Sequence, residues 1–222
     1  MATTVAETLA ESVKPRLRGW LHAGALPVAL VAGFVLVALG PTPQARIAAA
    51  VYAITSGLLF GISATYHRGV LSPRTEEVLH RLDHANIYLI IAGTYTPFAL
   101  LALDAPADAV VLGVIWTGAV AGVLFRVLWV NAPRWLSTAL YIALGWTAVF
   151  VLPQLVRGAG VVAVALVFLG GVLYTAGGVV YAMRRPDPSP RWFGFHEVFH
   201  AFTVAAYLVQ YVAVSLVVYA AA

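Results

Sequence analysis

His196-Glu197-Val198-Phe199-His200 carries two imidazoles at i and i+4. On a helix that spacing puts both rings on one face, within reach of one metal ion, which is the logic of the H-E-x-x-H zinc motif. A metalloprotease would also need a third ligand and a glutamate turned toward the attacking water. A helix rotates by about 100° per residue, so Glu197 points away from the face that His196 and His200 share. Two histidines alone admit a plainer reading, because interfacial imidazoles often simply bond backbone carbonyls. A second i, i+4 pair, His80 and His84, competes for the ligand role. The cationic Arg81 beside His80 disfavours a metal there, and His84 reads as a local hydrogen-bonding group or a support for Asp83. His22 stands alone near the start of the first apolar run and reads as interfacial.

These side chains sit in a chain of 222 residues that is 62% apolar, only 10% charged and free of cysteine. A soluble domain carries about a quarter charged residues and just under half apolar ones. The mean hydropathy of +0.90 therefore excludes an ordinary globular domain and a disordered chain alike. A membrane β-barrel would alternate apolar and polar residues in segments of about ten, and no such alternation occurs. The charges instead leave neutral runs at 19–45, 47–66, 84–103, 109–125, 135–156, 158–183 and 198–222. Each is near the roughly 20 residues that a helix needs to cross the hydrocarbon core. The expected fold is all-α, with seven transmembrane helices. Residues 19–222 form the membrane domain, and residues 1–18 form a tail in which Val5, Leu9 and Val13 have helical spacing. The first apolar run is too long for a secretory h-region and reads as a transmembrane helix. Missing cysteine excludes disulfides and thiolate chemistry.

The basic residues form no patch for nucleic acid, despite a pI near 9.6. They read as topology. With seven alternating spans, eleven of the thirteen Lys and Arg fall on one side: Lys14, Arg16 and Arg18, then Arg68, Arg74 and Arg81, then Arg126 and Arg134, then Arg184, Arg185 and Arg191. Only Arg46 and Arg157 fall on the other. Positive residues stay cytoplasmic, so the N-terminus is expected inside, the C-terminus outside, and the whole in the inner (plasma) membrane. Pro186-Asp187-Pro188-Ser189-Pro190 breaks any helix between spans six and seven.

That topology supplies the missing ligand. Span two ends inward at Tyr66-His67 and span seven starts inward at Phe195-His196, so both lie near the cytoplasmic face. Asp83 opens span three at the same level, and Ser63 lies one turn above His67 on the same face of its helix. Ionisable groups at membrane depth are costly, which makes each one a candidate site. Three neutral imidazoles with one open position describe a catalytic rather than a structural zinc site.

Ser63-Ala64-Thr65-Tyr66-His67, Arg81-Leu82-Asp83-His84 running into Ile91-Ala92-Gly93-Thr94-Tyr95-Thr96-Pro97, and His196-Glu197-x-x-His200 together resemble the three signature blocks of the hemolysin III proteins. These are the bacterial branch of the progestin and adipoQ receptor superfamily. The resemblance implies seven helices with the N-terminus inside. It also implies Zn2+ held by His67, His196 and His200, with Asp83 and Ser63 beside the water that the metal activates. The superfamily is similar to alkaline ceramidases in this constellation, which implies hydrolysis of a lipid amide or ester, the lipid entering from the bilayer. Two other classes stay open: a receptor or sensor with a structural zinc, and a cytolysin. Pore formation is the weakest of the three, since the chain shows no amphipathic barrel hairpin.

Overall fold

The computed structural model describes residues 15–129 and 131–221. Its elements are α1 (Trp20–Ala38), α2 (Pro43–Arg68), α3 (Pro73–Ala102), α4 (Ala107–Leu128), α5 (Arg134–Gly145), a 3-10 segment (Trp146–Val151), α6 (Leu152–Met183) and α7 (Phe195–Ala220). The described residues form no named strand. The helical spacing noted at Val5, Leu9 and Val13 lies outside the described residues.

Local sequence explains where two of these helices begin. The Thr42 hydroxyl accepts the Ala45 N–H at 3.2 Å, ahead of Pro43 in the first helical position. Ser72 does the same for Thr75 at 3.3 Å, ahead of Pro73. A hydroxyl satisfies one of the N–H groups that a helix start leaves unpaired, and proline has no N–H to satisfy. The cap at Ser72 has a consequence for the site. Helix α3 starts eleven residues before the neutral run at 84–103, so Arg81 and Asp83 lie inside a helix rather than in a connection.

Among the described residues, six helical stretches are long and apolar enough to cross a membrane. Val28, Val31 and Phe34 on α1, Ile54 on α2, and Val161 and Val162 on α6 point outward from the bundle. So large an apolar exterior fits lipid and not water. This is a multi-pass membrane protein. The fifth stretch, Arg134–Met183, has 50 residues, and a straight helix of that length would be about 75 Å long, over twice the hydrocarbon thickness. It folds back instead. Arg134 lies over the Tyr181 ring, a Cβ at Gly178 would lie 3.1 Å from the Thr138 methyl, and Trp146 Nε1–H donates to Thr175 Oγ1 at 3.0 Å. Partner numbers fall as residue numbers rise, which is antiparallel packing. Within the stretch, Gly160 (φ 81°, ψ 159°) leaves the helical region.

Helix α3 lies between α2 and α4, while α7 packs along α6 and closes against α1, α2 and α3. Close approach is set by small residues: a Cβ at Gly122 of α4 would fall 2.3 Å from the Tyr88 ring of α3. Arg126, which the charge pattern assigned to a connection, is buried in the last turn of α4, where it donates to Ser137 Oγ at 3.3 Å. A guanidinium can enter a helix bundle when it has a partner there.

Candidate metal centre

The end of α2 and the start of α7 meet at one end of the bundle. His67 stands in the last turn of α2, and His196 and His200 occupy the first two turns of α7. His67 Nε2 and His196 Nε2 are 3.2 Å apart. One nitrogen from each of the three imidazoles lies within 4.8 Å of the others, the one such group found among the described residues. Zinc holds imidazole nitrogens at about 2.0–2.1 Å in tetrahedral geometry, which separates neighbouring nitrogens by about 3.3 Å. The His67–His196 pair has that spacing, and the three nitrogens together could hold a metal ion. His196 and His200 are buried, and the His67 side chain is only 4% exposed.

Asp83 reaches this group from α3. Its Oδ2 is 3.6 Å from His67 Nε2, the nitrogen that faces His196. Ser63 lies one turn before His67 and is fully buried, and its hydroxyl has no hydrogen-bond partner among the described residues. Both residues line one cavity together with His196 and His200. The arrangement combines three converging nitrogens, a carboxylate beside them and a buried hydroxyl close by.

The competing pair is otherwise occupied. His84 Nδ1–H donates to the His80 carbonyl at 3.0 Å, and its Nε2 pairs with the Tyr181 hydroxyl at 3.0 Å. With both nitrogens engaged, His84 has no lone pair left for a metal. Glu197 is buried and turned away from the imidazoles: Oε2 accepts the Gly194 N–H at 2.8 Å and Oε1 pairs with Arg18.

His22 departs from its interfacial assignment. It is buried, lines the same cavity and stacks on His200 with ring centroids 3.8 Å apart and planes 6° from parallel. Neither of its ring nitrogens has a hydrogen-bond partner among the described residues. No pattern in the first span could reveal this, because the residue it meets is on the last helix. An ionisable side chain inside an apolar run was the one available signal.

From the histidine end the cavity follows α3, lined by Asp83, Ile87, Ile91, Phe98 and Leu103. Twenty residues of helix separate Asp83 from Leu103, a rise of roughly 30 Å. Its walls are mainly aliphatic and aromatic, with Thr138 and Gln210 among the few polar side chains.

Comparison with known proteins adds a relationship. The family described as "Haemolysin-III related" matches residues 11–211. "Hemolysin-3" of Bacillus cereus is 32% identical over 163 residues, covering 73% of this chain and 71% of that protein. The "Hemolysin-3 homolog" of Bacillus subtilis (strain 168) is 31% identical over 149 residues, 67% of each. Human "Monocyte to macrophage differentiation factor" is 24% identical over 201 residues, 88% of this chain and 80% of its own length.

Proposed function

Because the chain belongs to the haemolysin-III related family, we propose that it is a zinc-dependent membrane hydrolase acting on an amide- or ester-linked lipid. The observation that carries this reading is the position of His196 and His200, two of the three donors, on a long, mostly apolar cavity that Asp83 and Ser63 also line. An acyl chain would lie along α3 and present its polar linkage to His67, His196 and His200. Gaps between lipid-facing helices would admit it from the bilayer.

Bound zinc would supply Lewis acidity, polarising a carbonyl and making water more acidic. The residues of this chain would do the rest. Asp83 would hold and deprotonate the attacking water, and a positioned general base contributes about 10²–10⁴-fold to rate. The Ser63 hydroxyl would donate to a substrate or water oxygen. The apolar walls would keep bulk water from the linkage. An amide is favoured over an ester by the ceramidase-like constellation of the three histidines with Asp83 and Ser63.

The topology proposed with it has seven crossings within residues 19–222, the N-terminus and the histidine end at the cytoplasmic face, and the protein in the plasma membrane. The antiparallel packing inside Arg134–Met183 supports the seventh crossing. With the break at Gly160, residues 134–159 and 161–183 are each long enough to span. The division of Lys and Arg between the two sides supports the orientation.

A second reading draws on His22. If a movement of His22, which stacks on His200, let it coordinate as well, the site would be closed by four ligands, as structural sites are, and would suit a membrane sensor without turnover. Zinc content of the purified protein, measured beside fatty-acid release from a long-chain N-acyl lipid, tests the hydrolase. Zinc without release from either amide or ester lipids would favour the sensor.

A further inference from the structure

The chain just before α1 crosses the histidine end of the bundle. Arg16 N–H donates to the Arg191 carbonyl at 3.0 Å and Leu17 N–H to the Trp192 carbonyl at 3.1 Å. The Arg16 guanidinium lies 4.5 Å from the Trp192 ring centroid. Arg18 then pairs with Glu197, the neighbour of His196 in the first turn of α7. At the other end of the segment, Gly19 adopts φ 79°, a left-handed conformation that L side chains rarely take. It also abuts α2 so closely that a Cβ at Gly19 would lie 2.6 Å from the Cβ of His67. This segment thus touches α7 through Arg18, α2 through Gly19, and the connection that leads into α7 through Arg16 and Leu17.

We propose that Pro15–Gly19 is a strap that sets the spacing between His67 and His196, with Arg18 and Gly19 as positioning residues for the metal. The inference rests on the metal reading above. At its α7 end, the strap fixes a turn already held by Asp187, which accepts the Phe195 N–H at 2.8 Å, and by Glu197 on the Gly194 N–H. At its α2 end, only the absence of a side chain at Gly19 lets the strap pass His67. Metal–ligand distances must hold to within about 0.2 Å, so a displacement of His67 by a methyl group at Gly19 is large on the scale that matters.

The test uses the full-length protein in detergent, with zinc alone as the probe and affinity read by competition with a chelator. Gly19→Ala and Arg18→Gln should each weaken zinc binding about 10–100-fold, as loss of groups that orient metal ligands does. Arg18→Lys, which keeps the charge facing Glu197, should recover most of that loss. Arg46→Gln, at the far end of the bundle where Arg46 Nε–H donates to the Gly40 carbonyl at 2.8 Å, should leave zinc affinity unchanged. Melting with and without zinc separates positioning from general weakening: the strap variants should lose the zinc-induced rise in Tm. If Gly19→Ala does not fold, Arg18→Gln decides, since its side chain lies at the edge of the bundle. Wild-type protein that binds no zinc overturns the metal reading. Zinc binding that is tight in wild type and equally tight in Arg18→Gln overturns the strap.

Discussion

The imidazole of His22 lies flat on that of His200, ring centroids 3.8 Å apart and planes 6° from parallel, so the first and last helices meet face to face beside the candidate metal ligands. The stack fixes the plane of His200 from the side that the other two histidines leave open. Whether His22 supports a ligand or serves as one separates the two functional readings, and a substitution distinguishes them. His22→Phe preserves a flat ring and removes both nitrogens. Under the hydrolase reading the variant should keep one zinc per chain with affinity within about 10–100-fold of wild type. Complete loss of metal, measured by elemental analysis, would make His22 the fourth ligand.

Replacing His67, His196 or His200 by Ala should abolish stoichiometric zinc, whereas His80→Ala should retain it. Binding to the folded state alone adds about 2.7 kcal/mol of stability at a zinc concentration 100 times Kd. Each ligand variant should therefore lose the rise in Tm that zinc gives the wild type.

Asp83→Asn is nearly isosteric and keeps a hydrogen-bonding side chain 3.6 Å from His67. It should hold its zinc and its fold while turnover of an N-acyl lipid falls by about 10²–10⁴-fold. Ser63→Ala should show a milder defect, since it removes one hydrogen bond. Zinc content, Tm and fatty-acid release measured on the same samples check both. Turnover that survives Asp83→Asn would remove the carboxylate from the chemistry.

Reporter fusions address the crossings. A cytoplasm-dependent reporter should be active after Thr4 and silent at Ala222, and a reporter active only outside should give the reverse. A fusion after Gly160 should behave like the one at Ala222. Cytoplasmic activity at Ala222 would reduce the crossings to an even number.

Much of this arrangement is legible in the residues. That the chain is a helical, multi-pass membrane protein follows from the intervals between charges, because a helix in lipid tolerates few of them. The direction of Glu197 follows from the 100° step between neighbours, and the structure turns it onto Gly194 and Arg18. What escaped were features that depend on a partner far along the chain. Helix α3 starts at Pro73 because of a capping hydroxyl, not because of hydropathy, so the neutral run misses its first three turns. Arg126 looks like a loop residue until Ser137 is seen across from it. His22 has no partner at i+4, and its place beside His200 exists only once α1 and α7 pack together. Gly19 has a similar history, being one glycine among 19 until His67 stands against it.

The Arg18–Glu197 pair joins residues 179 positions apart, and that separation bears on biosynthesis. Chains emerge from their N-terminus and fold progressively during synthesis. The strap, α1 and the His67 end of α2 are therefore made and inserted while α7 is still untranslated. No chain that stops before α7 holds the complete donor set, and until then the strap lacks Glu197 as a partner. Assembly of the three imidazoles thus waits for α7. A product that stopped before α7 would carry His67 without its partners.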